Sequence, residues 1–409
     1  MKKFKLTTAL ILVLILSFSL SLAAACSGKK YTVTFDADGG TSVDSQTISD
    51  GKKATKPDDP TKNGLVFDNW YSDSAKTIVF NFDTAIKADT TIYAKWKGLP
   101  GAESNPYIIT TNEQLKQLAT DVNATKDFAK DKYYKLGNDI DLNDEEWTPI
   151  GVEYSKLFNG SFDGGGFVVK NFKITTAIGT GERYLGLFGI NRGIIANLGV
   201  EKFNINVTLS LGNLYAGGLA GSNSMAIKNC YATGNIVAGS SNITTSVGGL
   251  VGDNSGTIEN SYATGSASSD TAGSLSSSET SAKAHVGGLV GYNSGTIENS
   301  YAAGIISATG LSFASAGGLV GYKSSSGALT NCYATGSVHA GSFNSVYAGG
   351  LIGYKSGEAI ANCHRYREQT ITSRKGATNA DATNTEGTPQ SFAELSSGIF
   401  VASTLKCFE

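Results

Sequence analysis

At 409 residues the chain is long enough for more than one domain, and 33 Lys and Arg nearly balance 35 Asp and Glu, for a net charge of −2. Without a basic patch, nucleic-acid binding is disfavoured, because phosphate neutralisation needs clustered Lys and Arg. The five cysteines and three histidines show no Cys-x-x-Cys or paired-His spacing, which argues against a zinc centre and leaves no cofactor implied.

The first residues read as a targeting segment outside the fold. Lys2, Lys3 and Lys5 form a basic start, Ala9 to Leu22 is mainly apolar, and Ala23-Ala-Ala-Cys26 places small residues before a cysteine. This arrangement resembles a lipobox, with Leu22 one position earlier than usual. The resemblance implies removal of residues 1–25 and acylation of Cys26, with 26–30 as the anchor segment. An ordinary signal peptide and an uncleaved membrane helix are the alternatives. Two or more acyl chains would hold the protein at a membrane surface. Loss of the three lysines leaves 30 basic against 35 acidic residues, a net charge of −5.

Tyr31-Thr-Val-Thr-Phe35 alternates like a strand and Asp38-Gly-Gly40 marks a turn. Phe67-Asp-Asn-Trp-Tyr71 and Thr91-Ile-Tyr-Ala-Lys-Trp96 close a unit over 31–97. The unit resembles the Listeria–Bacteroides repeat, a small β-grasp-like module also found in internalin B-type proteins. Asn69 stands where that family typically has Gly before Trp-Tyr. Residues 98–105 read as a linker.

Thr111-Asn-Glu-Gln114 has capping-box spacing, and Leu115, Leu118, Ala119 and Val122 share one helical face. A helix here would plug the end of the structure that follows. Asp139, Asp141, Asp144, Glu145 and Glu146 form the densest acidic cluster. It could ligate calcium or place the two carboxylates of a glycosidase, but its position on a strand favours a solvated edge.

From Leu185 onward the chain repeats. Ala216 to Gly221, Val247 to Gly252, Val286 to Gly291, Ala316 to Gly321 and Ala348 to Gly353 are copies of one glycine-rich phrase, with a degenerate copy at Leu185 to Gly189. Gly186, Gly218, Gly249, Gly288, Gly318 and Gly350 lie 32, 31, 39, 30 and 32 residues apart. Such a period implies a solenoid, since one unit cannot bury its apolar face until neighbours cover it. The phrase is no phosphate loop, because no Lys-Ser/Thr follows it. The long spacing is accounted for by Ser266 to Ser281, read as a loop off one rung.

A second phrase accompanies the first: Ile227-Lys-Asn-Cys-Tyr-Ala-Thr-Gly234, Ile258-Glu-Asn-Ser-Tyr-Ala-Thr-Gly265, Ile297-Glu-Asn-Ser-Tyr-Ala-Ala-Gly304, Leu329-Thr-Asn-Cys-Tyr-Ala-Thr-Gly336, and a worn copy from Ile360 to His364. Asn197, Asn229, Asn260, Asn299, Asn331 and Asn362 share one position, read as a ladder at a corner that tolerates positive φ. A corner there turns the small residues Cys230, Ser261, Ser300, Cys332, Cys363 and the following alanines inward. It turns Tyr231, Tyr262, Tyr301 and Tyr333 outward; the opposite orientation, with tyrosines inside, is nearly as easy to defend. Between Ala216 and Gly353 only eight of 138 residues are Asp, Glu, Lys or Arg, so Ser, Thr, Asn and Gly supply the polarity.

The two phrases resemble the GLUG-motif repeats of bacterial surface proteins, and Tyr134 to Leu142, Trp147 to Gly151 and Phe158 to Ile174 are similar to the early rungs that precede them. The resemblance implies an all-β fold: a right-handed parallel β-helix or solenoid over 106–363 with short capping helices, preceded by the β-grasp-like module. Residues 364–409 read as a C-terminal cap or truncated end, with Ser391-Phe-Ala-Glu394 repeating the capping-box logic and Phe392 and Leu395 covering the last rung. Cys332 and Cys363 would lie on adjacent rungs, where a disulfide is an alternative to two free thiols.

A non-catalytic, lipid-anchored surface protein is the expected function, since His285, His339 and His364 are scattered and no nucleophile elbow accompanies them. Its partners would be extracellular glycans or a surface protein, engaged through Tyr231, Tyr262, Tyr301 and Tyr333 together with Tyr292, Tyr322 and Tyr354. The bland alternative is that the tyrosines only stack on one another. A polysaccharide-degrading β-helix acting through Asp139 or Asp141 and a purely structural spacer are the competing readings.

Overall fold

A computed structural model describes residues 28–176, 181–240, 243–270, 282–310, 312–342, 344–375, 382–384 and 388–390. The targeting segment, Cys26, most of the 266–281 insert, the Ser391–Glu394 box with Phe392 and Leu395, and Cys407 lie outside the described residues. The chain divides into two compact units at Pro100 and Gly101.

The first unit is a four-stranded sheet of β1 (Lys30–Asp36), β2 (Gln46–Ser49), β3 (Leu65–Tyr71) and β4 (Thr90–Gly98), in the order β2-β1-β4-β3. The central pair β1/β4 is parallel and both outer pairs are antiparallel, the arrangement of a β-grasp sheet. Alternation along β1 turns Val33 and Phe35 into a core with Trp70, Ile92 and Ala94. The register of β3 slips between Phe67 and Asn69, and the Asn69 side chain accepts from the Trp70 amide at 2.9 Å. Asparagine thus serves at a β-bulge, where a self-bonding polar side chain is tolerated.

Near the start of the second unit lies α1 (Asn112–Ala124), whose capping box at Thr111 and Gln114 is formed on both sides. Its buried residues are Leu115, Leu118, Ala119 and Val122, and they belong to the same core as Ile109, Leu136 and Trp147. Asn123 ties the helix end to the first rungs, donating to the Pro149 carbonyl and accepting from the Gly151 amide, each at 2.9 Å.

The chain winds into a solenoid with four parallel sheets of 7, 6, 9 and 11 strands among the described residues, the strand Tyr107–Ile109 just before the helix forming the edge of the nine-stranded sheet. One rung shows the plan: Thr244–Gly248 on face one, Val251–Asn254 on face two, Thr257–Glu259 on face three and Tyr262–Asp270 on face four. Each strand pairs with its equivalent one rung away, so like sits on like: Val247 on Val286, Ile258 on Ile297, Ala263 on Ala302. All are buried, and the interior is one continuous cluster.

The corners explain the two phrases. Between faces one and two, a Cβ on Gly249 would press into the carbonyl oxygen of Gly288 on the next rung, so backbone proximity demands glycine. Between faces three and four, Asn197, Asn229, Asn260, Asn299, Asn331 and Asn362 adopt φ between 48° and 53°. Their side chains form the ladder, each amide donating to the previous carbonyl oxygen at 2.8–3.1 Å.

A second ladder, absent from the sequence reading, runs inside the corner between faces two and three. Asn191, Asn223, Asn254 and Asn293 are fully buried and bonded in series at 2.8 Å. Lys323 takes the next position, its Nζ donating to the carbonyls of Ser324 and Ser356.

The positions after the outer asparagines do point inward. Ser261 and Ser300 bond the carbonyls of Glu259 and Glu298, while Cys230 and Cys332 direct their thiols at the equivalent carbonyls. Cys230, Cys332 and Cys363 are buried free thiols. Burial pushes the Cys230 thiol up to about 12, which makes it inert.

Candidate ligand cleft

The tyrosines singled out by repetition do not form one surface. Tyr231, Tyr262, Tyr301 and Tyr333 stand half-buried on the outside of face four, stacked ring on ring with centroids 4.8–4.9 Å apart and planes within 7°. Rings stacked this way cover one another's faces and leave edges and hydroxyls outermost. The flat platforms expected for sugar stacking are therefore not offered along this row. Tyr231 also donates to Glu201 at 2.6 Å.

Tyr292, Tyr322 and Tyr354 belong to face two, and they face side chains of face one across a cleft of about 410 Å³. Tyr215, Thr244, Ser246, Lys283, His285 and Phe313 complete its walls together with Asp253. The reason is the corner itself. Gly-Gly-Leu bends the chain so that the outward residues just before and just after the phrase converge. On face one the outward row runs Tyr184, Tyr215, Ser246, His285, Ser315 and Tyr347. On face two it runs Ile190, Ser222, Asp253, Tyr292, Tyr322 and Tyr354.

Sequence reasoning picked out the three face-two tyrosines and missed Tyr215, Ser246, Asp253, His285 and Phe313. For Tyr215, Ser246, His285 and Asp253 the signal was positional: the residues immediately before and immediately after each glycine phrase vary more than the phrase does. Tyr292 stacks on Tyr322 and Tyr322 on Tyr354, with centroids 5.1 and 4.9 Å apart. Tyr184 and Tyr215 form a separate stack at 5.0 Å.

Three polar groups set the chemistry. The Ser246 hydroxyl is buried and has no hydrogen-bond partner among the described residues. Asp253 is largely enclosed; burial pushes its carboxyl up to about 6, opposed only by a long bond from the Ser222 hydroxyl at 3.4 Å. His285 is buried with Nδ1 2.8 Å from the Ser315 hydroxyl, and burial pushes the imidazole down to about 3, so it is neutral at physiological pH. An aromatic wall with a hydroxyl and a carboxyl at its base suits a polyhydroxylated or amide-bearing ligand.

Other candidates are spent elsewhere. His339 contacts Thr372 and His364 contacts Asn362, remote in register from His285. Asp141 accepts from the Asn143 amide and from Asn171, which holds its carboxyl below the usual range, and Asp139 accepts from the Val168 amide. Glu145 pairs with Lys116 at 2.7 Å, and Glu146 accepts from Thr175 and Thr176. Among the described residues no group of three His, Cys, Asp or Glu is placed to hold a metal ion.

Comparison with known proteins follows the same division. Residues 31–95 match the Listeria-Bacteroides repeat domain, and 212–237, 243–268 and 284–307 match the GLUG motif. A protein of Evansella cellulosilytica provisionally named a Gly-rich membrane protein is 38% identical over 69 residues, 17% of this chain and 8% of its own. Another provisionally named membrane protein of that organism is 37% identical over 68 residues, 16% of this chain and 10% of its own. The matched stretches thus span a tenth or less of those relatives. A crystal structure from Bacteroides ovatus, provisionally named an immunoglobulin A1 protease, superposes with a TM-score of 0.55 at 24% identity over 74% of this chain and 89% of that one, a likeness of fold. The chain therefore carries an N-terminal Listeria-Bacteroides repeat domain and GLUG motifs that form the rungs of a β-solenoid.

Proposed function

We propose that this protein is a non-catalytic surface protein of the bacterial cell envelope, lipid-anchored through Cys26, whose solenoid binds an extracellular glycan or a surface protein. The observation that carries this reading is the cleft between faces one and two, with its aromatic walls and a Ser246 hydroxyl that has no partner among the described residues. Naming of the matched relatives as membrane proteins supports the location.

Asp253 is the single carboxylate among the described residues that line the cleft, whereas glycoside cleavage by the usual route needs two, which supports the non-catalytic part. A general base works best with a pKa near the operating pH, whereas His285 lies near 3. The carboxylates proposed for glycoside cleavage are committed to backbone and side-chain bonds within their own rungs.

The test is a screen of the full chain against bacterial, plant and host polysaccharides and mucins, scoring retention and released oligosaccharides in the same samples. Retention without release is the expected result. Release would replace the binding reading with an enzymatic one, and silence in both channels would favour a spacer.

A further inference from the structure

Two aromatic columns, one on each face, end at the cleft, and one rung separates them. Tyr184 and Tyr215 stack on face one, and Tyr292, Tyr322 and Tyr354 stack on face two. The rung between carries no ring on either face: Ser246 lies one rung beyond Tyr215 and one before His285, and Asp253 lies one before Tyr292. With rungs about 4.8 Å apart, Tyr215 and His285 are separated by about 10 Å, which leaves a slot one saturated ring thick.

The base of that slot is polar. Ser246 is 1% exposed and its hydroxyl has no partner among the described residues, a vacancy that buried hydroxyls rarely sustain. Asp253 sits in the facing strand, with Thr244 and Lys283 also lining the cleft. We infer that the Ser246–Asp253 rung is a binding slot for one pyranose unit of a glycan, whose ring completes the interrupted aromatic column. This inference rests on the binding reading above.

The chemistry selects a sugar over a bare aromatic ring. A pyranose presents one apolar C–H face to Tyr215 and the other to Tyr292, with His285, inclined 55° to Tyr292, beside it. Around its rim it carries hydroxyls that both donate to the Asp253 carboxyl and pair with Ser246. An aromatic side chain from a protein partner would fill the slot, leave Ser246 without a partner and leave Asp253 with only its long bond from Ser222, which is costly.

The experiment uses the full chain with a panel of defined polysaccharides and, separately, free hexopyranoses at millimolar concentration, with affinity read by calorimetry and folding by thermal melting. Ser246→Tyr extends the ring column into the slot and should abolish sugar binding with an unchanged or higher Tm. Ser246→Ala keeps the slot and removes the hydroxyl, and should weaken binding about fivefold, the worth of one hydrogen bond. If Ser246→Tyr does not fold, the Ser246→Ala affinity decides the matter. Sugar binding that ignores both variants overturns the slot and leaves the glycan-binding reading standing. Binding of no sugar in the panel overturns the slot and the glycan-binding reading together.

Discussion

The Asn254 side-chain amide donates to the carbonyl oxygen of Asn293 at 2.8 Å, both residues fully buried and 39 positions apart in the chain. Neighbouring pairs in the same ladder are 31 and 32 positions apart. The register of the corner is therefore held constant while extra residues are taken up elsewhere in the rung.

Removing a link from this buried ladder should be expensive. Asn254→Ala takes the 2.8 Å acceptor from the Asn223 amide, which keeps only its 3.4 Å contacts to the Met225 and Thr257 carbonyls, and leaves the Asn293 oxygen without its donor, so a loss of about 2–4 kcal/mol is expected. Asn260→Gly, in the outer ladder, keeps the positive φ and loses only part-exposed side-chain bonds, and should cost about 1 kcal/mol. Urea unfolding of the two variants compares them directly, and equal losses would contradict the distinction.

Gly249→Ala should destabilise by about 3 kcal/mol, because the added methyl meets the Gly288 carbonyl, which belongs to the ladder and has no rotamer through which to yield. Denaturant midpoints test this, and a change below about 0.5 kcal/mol would mean that the rungs part easily.

Acid and base titration of the cleft should oppose one another. Asp253 keeps its proton in the fold up to about pH 6, so its contribution is full below its unfolded value of 3.8 and is lost as pH rises through 6, by about 3 kcal/mol at most. His285 resists protonation down to about 3, so its contribution is present above 6.5 and is lost as pH falls. Lys283 opposes the charging of His285, and Glu182 opposes that of Asp253. Between pH 4 and 6 the two slopes largely cancel. Asp253→Asn should make stability rise across that interval and His285→Gln should make it fall, as read from melting temperature against pH. Parallel curves for both variants would show that neither group is desolvated.

Tyr262→Ala removes two stacking contacts on face four, each worth roughly 0.2–1 kcal/mol, and should lower the Tm by a few degrees without changing ligand affinity. Loss of binding at unchanged Tm would return the ligand site to that row.

What the sequence by itself determined is everything that repetition encodes: the rung period, the recurring glycine phrase, the outer asparagine ladder, the inward Cys, Ser and Ala positions, and the helix that caps the first rungs. Each follows from a local constraint, such as positive φ at Asn260 or alternation after it, copied often enough to stand out. What only the tertiary structure decided is where the faces meet. The inner ladder from Asn191 to Asn293 and the convergence of Ser246 with Asp253 depend on the angle between successive strands, which no single rung's composition specifies. Ser246, Asp253 and His285 also differ from their equivalents on neighbouring rungs, and that is the physical reason they were missed, whereas the recurring Tyr292, Tyr322 and Tyr354 were legible. A solenoid core is read from what recurs between rungs, whereas a site on its surface is built where one rung differs from its neighbours.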